Sequence, residues 1–343
     1  MKKIFFRPYR IVVNIAKKIT DLDDVKEENK SLRTEVASLR TEKNIISEEL
    51  KLEEKAKNFG WPNGHYYSPV HNQKDLINYK KATDISKKTF AKSIPGFSEK
   101  RILKEFSDIK TYFKDFNFPK NAGGNSRFFS NNVSLSPLDS LGIFAMIRKY
   151  KPNKIIEIGS GYSSGLMMEV NEKYFDSNID ITFIEPYPNL LNERMNKNDM
   201  SKYNIIVKGV QEVPLEIFKT LKKNDILFID STHVSKFNSD VNYELFNILP
   251  VISKGVIIHI HDIHDGFEYP LNWLKQGWAW NEAYLLRAFL MNNNEYEVLL
   301  ANNFIKSNHP SMLLNIFTDE DKMYLSNGEE IIRHDGSMWI RKI

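Results

Sequence analysis

The sequence predicts an α/β fold, a mostly parallel sheet wound with crossover helices and preceded by a helical N-terminal arm. Three observations predict it. From Lys154 onward, short β-branched runs alternate with helical stretches, the pattern of strands joined by crossovers. The first run passes through Gly159-Ser160-Gly161 straight into a helix start. Acids then close later runs at Glu185, Asp230 and Asp262, at the carboxyl edge where open α/β sheets bind ligands.

Composition narrows the chemistry. The 343 residues are 41% apolar and 27% charged, an ordinary globular balance that excludes a disordered or collagen-like chain. With no cysteine, disulfides, thiolate catalysis and Cys-ligated zinc or iron–sulfur sites are excluded. The net charge of +4 is unevenly spread. Residues 1–20 hold Lys2, Lys3, Arg7, Arg10, Lys17 and Lys18 and no acid, so the rest of the chain is slightly acidic. A nucleic-acid partner is therefore not expected. No apolar run approaches the roughly 18–20 residues of a membrane span, and Arg7 and Arg10 interrupt the only signal-like stretch. The expected location is the cytoplasm, peripheral at the inner membrane face.

In chain order, residues 1–20 read as a basic amphipathic helix beginning at Pro8. Ile11, Val12, Ile15 and Ile19 form its apolar side, suited to an anionic membrane interface. Residues 21–57 read as a coiled coil, with Leu22, Val25, Asn29, Leu32, Val36, Leu39, Lys43, Ile46 and Leu50 at alternating a and d spacing. Asn29 and Lys43 at a positions favour a homodimer. Residues 58–136 form a connecting and substrate-cap region, with an aromatic turn from Gly60 to Pro69. The catalytic domain is expected over 137–343. It opens with a helix over 137–150, followed by strands over 154–158, 181–185, 205–208, 226–230, 256–261, 296–300 and 337–341. Too little helix separates the last two strands for a right-handed crossover, so they are expected to pair antiparallel.

The run Ile155-Ile156-Glu157-Ile158-Gly159-Ser160-Gly161 is a buried strand and a turn whose glycines let backbone approach a ligand closely. Glu185, 26 positions after Gly159, stands where an acid accepts both ribose hydroxyls of a nucleotide. Position 164 is Ser, not the third glycine of a dinucleotide fingerprint, which points to a nucleoside ligand without a pyrophosphate. A second cluster comprises Asp230, His233, His259, His261 and Asp262. A divalent cation would orient a hydroxyl and lower its pKa, and a histidine could take the proton. Strand alternation sends His261 and Asp262 to opposite faces, so the two converge only if the strand ends before 262. Trp273, Trp278 and Trp280 follow, aromatics that suit sugar faces or a lid.

These residues resemble the class I S-adenosylmethionine-dependent methyltransferases, specifically a branch of small-molecule and sugar O-methyltransferases. The resemblance implies a Rossmann-like seven-stranded sheet whose last strand is antiparallel. It implies a cofactor site of Glu157, Gly159, Ser160, Gly161, Ser164 and Glu185, with Gln211 where the family often has an adenine-contacting acid. It implies Asp230 and Asp262 as ligands of Mg²⁺ or another divalent cation, with His261 as the third. His233 is then the general base, and Asp230 and His261 complete the catalytic set. Ile263 stands where metal-dependent relatives often carry a second Asp or Asn. The expected acceptor is a hydroxyl of a sugar or glycan, such as a surface polysaccharide or glycolipid. The rival readings are a non-catalytic, membrane-associated coiled-coil scaffold that binds a nucleoside, and a metal-dependent hydroxylase on the same fold.

Overall fold

The computed structural model describes residues 29–30, 32–47, 61, 64–316, 323–324, 330–331 and 334–343. The chain divides into two compact units, Met1–Pro69 and Val70–Ile343. The expected basic helix over 1–20 and the ends of the expected coiled coil over 21–57 lie outside the described residues. In the first unit, residues 29–30 and 32–47 are helical, and Leu32, Val36, Leu39 and Ile46 stand exposed along the helix. The aromatic turn gathers Trp61, His65, Tyr66 and Tyr67, with the first two rings stacked 4.2 Å apart.

The second unit is built on seven strands: β1 (Lys154–Ile158), β2 (Asp180–Ile184), β3 (Asn204–Ile206), β4 (Ile226–Ile229), β5 (Ile257–Ile260), β6 (Tyr296–Ala301) and β9 (Met338–Lys342). Their order is β3-β2-β1-β4-β5-β9-β6, and a separate ribbon pairs β7 (Met323–Tyr324) with β8 (Glu330–Ile331). β1 to β5 run parallel, while β9 lies antiparallel to both β5 and β6. The expected strands fall within one or two residues of these bounds, and the antiparallel pairing of β6 and β9 matches expectation. Residues 155–158 and 226–229 are buried throughout, the continuous apolar run expected of a sheet covered on both faces.

Helices α1 (Tyr79–Ser93), α2 (Glu99–Lys110), α3 (Pro137–Tyr150), α4 (Tyr162–Phe175) and α5 (Glu282–Leu290) frame the sheet. α3 starts where Ser136 Oγ accepts the Asp139 amide at 3.1 Å, with Pro137 in the first turn. It stops at Lys151, whose φ of 48° breaks the helical path. α2 packs on β6 and α3, and α1 packs on the turn Asp265–Phe267. Between α1 and α2, Gly96 lies flat on β6. A Cβ there would stand 1.9 Å from the Tyr296 carbonyl oxygen, and the Gly96 carbonyl accepts the Val298 amide at 2.9 Å. The stretch 70–136 thus brings its own helices to the sheet.

Candidate active site

Parallel strands bring their carboxyl ends to one edge, and backbone hydrogen bonds carry the alignment one residue further. Gly159 N donates to Ile184 O, Asp230 N to Ile158 O, and His261 N to Ile229 O, at 2.9–3.1 Å. Gly159, Glu185, Asp230 and His261 therefore stand side by side at the edge. A cavity of about 180 Å³ opens there, lined by Gly159, Ser160, Gly161, Glu185, Asp230 and His261 among others.

The turn after β1 requires glycine. Gly159 has φ 79°, and a Cβ on it would lie 1.8 Å from the Asp230 carbonyl oxygen. Glu157 is fully buried below the turn, where Ser163 Oγ donates to it at 2.5 Å and Ser164 Oγ also donates. Burial pushes the Glu157 carboxyl up to about 8, although the two serine hydroxyls pull the other way. Ser164 Oγ in turn accepts the Gly161 amide at 2.9 Å. The residue that needs to be small on this helix is its neighbour Gly165, whose Cβ would stand 2.4 Å from the Arg127 carbonyl oxygen. Glu185 accepts the Ser160 amide at 3.0 Å and the Tyr187 amide at 2.8 Å, so its carboxylate is aimed across the cavity mouth. Gln211 stands on the 3-10 turn Val210–Glu212 after β3, half-buried, with its amide folded over Gly209.

The second cluster converges because β5 ends at Ile260 and Asp262 takes φ 57°. That turn brings Asp262 Oδ1 to 3.3 Å from His261 Nδ1. His261 Nε2 lies 3.5 Å from Asp139 Oδ2 on α3. His233, also left-handed at φ 61°, directs Nε2 to Asp262 Oδ2 at 3.3 Å and Asp230 Oδ1 at 3.5 Å. Its Nδ1 bonds Glu282 Oε2 at 2.8 Å, and its carbonyl accepts the amides of Asn281 and Glu282. Burial opposes charge on both His233 and His261, yet the surrounding carboxylates hold both well above the usual histidine range. Burial likewise pushes Asp230 up, but His261 and His233 outweigh it and hold the carboxyl at about 2. His259 is a core histidine: it stacks on Phe228 at 3.8 Å, bonds Ser337 Oγ at 2.9 Å, and burial lowers it well below its usual range.

Asp230, His233 and Asp262 each offer a ligand atom, all within 4.8 Å of one another. His261, the histidine expected in such a set, directs Nδ1 to Asp262 Oδ1 at 3.3 Å and Asp230 Oδ1 at 3.7 Å with Asp139 behind it, while His233 Nε2 meets the same two carboxylates at 3.3 and 3.5 Å. Several contributors were missed. Glu282 lies 49 residues from His233, and buried Glu244, on the π turn Glu244–Ile248, meets Ser231 Oγ at 3.2 Å. Asp139 was legible only as a third helical residue after a Ser-Pro cap, a position that here holds a buried carboxylate bonded to the Gly336 and Ser337 amides.

The strand order, with β9 reversed between β5 and β6, and a glycine turn facing the acid after β2, define a Rossmann-type methyltransferase domain. Residues 156–263 match a family described as a methyltransferase domain. An uncharacterized protein of Archaeoglobus fulgidus is 34% identical over 172 residues, which cover 48% of this chain and 76% of that protein. Among solved structures, S-adenosylhomocysteine-bound methyltransferase PaMTH1 of Podospora anserina is 18% identical, covering 78% of this chain and 97% of that one, at a TM-score of 0.38. An O-methyltransferase of Bacillus cereus with S-adenosylhomocysteine is 12% identical, covering 70% and 91%, at a TM-score of 0.35. The second unit thus carries a methyltransferase domain, and the chain is an S-adenosylmethionine-dependent methyltransferase.

Proposed function

We propose that this methyltransferase acts on a hydroxyl of a sugar or glycan. The observation that carries the reading is His233, whose Nε2 faces Asp230 and Asp262 beside the cavity floored by the glycine turn. The cradle fits the cofactor: Gly159 and Gly161 line the cavity on a turn that a side chain at Gly159 would drive into the Asp230 backbone, and the Glu185 carboxylate faces it as a ribose acceptor. S-adenosylmethionine, when bound, supplies the methyl group. The chain's own residues then have three tasks. Asp230 and Asp262 accept hydrogen bonds from the acceptor and orient its oxygen. The carboxylates hold His233 charged, so it takes the hydroxyl's proton from the state in which Nε2 has released its own, as the acceptor draws Asp230 and Asp262 into its own hydrogen bonds. Glu282 holds the His233 ring in place through Nδ1. Positioning accounts for most of what such a site contributes.

A divalent cation is a second reading, favoured by the donor set, since two carboxylates and an imidazole nitrogen gather in one place. Asp230, His233 and Asp262 would hold it, and it would supply a Lewis acid that lowers the hydroxyl's pKa. For the N-terminal arm we propose parallel pairing of two copies, supported by the exposed Leu32, Val36, Leu39 and Ile46, spaced by four, three and seven. We also propose peripheral contact of residues 1–20 with the inner membrane face, supported by their exclusively basic charge. Among the described residues, no helix is long and apolar enough to cross a membrane.

The test is calorimetric titration with S-adenosylhomocysteine, with and without Mg²⁺ or Mn²⁺, followed by labelled methyl transfer to cell-derived glycans. Glu185→Ala should weaken cofactor binding, and Asp230→Asn should keep it while abolishing transfer. Transfer that survives Asp230→Asn sinks the site assignment.

A further inference from the structure

We propose that Trp278 and Trp280 form an extended acceptor subsite, which takes the neighbouring ring of an uncharged glycan so that the substrate spans at least two sugar units. The inference rests on the reading of Asp230, His233 and Asp262 as the seat of the reacting hydroxyl. An aromatic row starts at that seat, with the Trp280 ring 4.4 Å from the His233 ring. Trp278 stacks on Trp280 at 4.7 Å, and Trp273 backs the two at 5.2 and 5.1 Å. At its outer end Trp278 is 38% exposed.

The backbone builds this exposure. After the helix Leu271–Lys275, Gly277 takes φ 83° and donates to the Leu274 carbonyl at 2.9 Å. Trp278 N then reaches back to the Trp273 carbonyl at 3.2 Å, hooking the indole over the helix it has just left. A hydrogen-bonded turn thus fixes a large apolar ring toward solvent beside a polar centre. The CH faces of a sugar ring pack on such a surface while its hydroxyls reach water and the carboxylates. Charge selects the class of glycan. Asp230, Asp262, Glu282 and Asp139 outnumber His233 and His261 around the seat, so a uronate or phosphate there meets repulsion.

The test uses the full-length protein saturated with S-adenosylhomocysteine and presented to immobilised neutral monosaccharides, neutral oligosaccharides, uronic-acid glycans and phosphorylated sugars, with free catechol titrated by calorimetry. Neutral disaccharides or longer should bind, and their single units should bind at least several-fold more weakly. Trp278→Ala should weaken the oligosaccharide roughly tenfold, the scale of one aromatic stacking contact, and leave S-adenosylhomocysteine affinity unchanged. Gly277→Val should reproduce that loss with the indole still present, because a β-branched residue strains the left-handed turn while its Cβ meets nothing within 4 Å. Unchanged oligosaccharide affinity in Trp278→Ala overturns the subsite. So does preference for acidic sugars or catechol, or failure of every neutral glycan to bind a cofactor-loaded protein. Unchanged affinity in Trp278→Ala or a preference for acidic sugars strikes the subsite alone; a preference for catechol, or failure of every glycan to bind, strikes the sugar acceptor with it, and a wild type that ignores S-adenosylhomocysteine strikes the methyltransferase reading too.

Discussion

Gly159 and Glu157 show how narrowly single positions constrain this site. At Gly159 a methyl group would collide with the backbone of Asp230, and the positive φ adds strain. Gly159→Ala should therefore force β1 and β4 apart at their carboxyl ends. Calorimetry should find S-adenosylhomocysteine binding weakened at least tenfold, together with a lower melting temperature. Glu157 gives a pH signature. Folding raises its carboxyl from 4.5 to about 8, chiefly by burial, so between those values the folded chain keeps a proton that the unfolded chain has released. Stability from this group is complete below about 4.5 and is lost as pH rises toward 8. Thermal melts of Glu157→Gln should accordingly gain on the wild type as pH climbs from 5 to 8.5, then run parallel. Parallel curves over the whole range would mean that Glu157 stays ionised in the folded protein.

The elements were legible to different degrees, and physical reasons separate them. β1, β4 and β5 announce themselves as isoleucine-rich runs because both of their faces are covered, and the antiparallel β6–β9 pair follows from the little helix between the two strands. The turn residues Gly159, Glu185, Asp230 and Asp262 were readable because they follow the ends of β1, β2, β4 and β5. Partners supplied by distant elements were not. Glu282 reaches His233 only because α5 begins where the loop after β4 folds back, and Asn281 is laced to Ser235 beside it. Arg127 is likewise silent in sequence, yet it bonds Asp199 at 2.7 and 2.8 Å and Glu172 at 2.8 Å, strapping its loop over α4. Asp139 links three elements at once, α3, the strand end at His261 and the approach to β9. Removing one member of a buried charged network costs about 3–5 kcal/mol. Asp139→Ala should lower stability by that order, and hydrogen exchange should accelerate first at the amides of Gly336 and Ser337.

At the scale of the molecule, the two compact units invite separation. A chain beginning at Val70 should fold and bind S-adenosylhomocysteine within twofold of the full-length protein, because every cofactor-site residue lies in the second unit. Analytical ultracentrifugation should find that shortened chain monomeric and the full chain dimeric, if the exposed apolar seam of the first unit pairs as proposed. A monomeric full-length protein would remove the coiled coil from the account.

The placement of β9 has a consequence for how the protein is made. The ribosome delivers β5 and β6 before β9, although neither can find its final neighbour until β9 arrives between them. During that interval the nascent chain carries a β3-β2-β1-β4-β5 platform whose β5 border is unpaired in addition to the permanent β3 edge, the exposed-edge condition that favours wrong pairing between chains. Slow translation through residues 302–337 would prolong that exposure, and crowded polysomes would place several such borders side by side. Yield in a heterologous host should therefore depend on chaperone supply during synthesis more than on the stability of the finished enzyme.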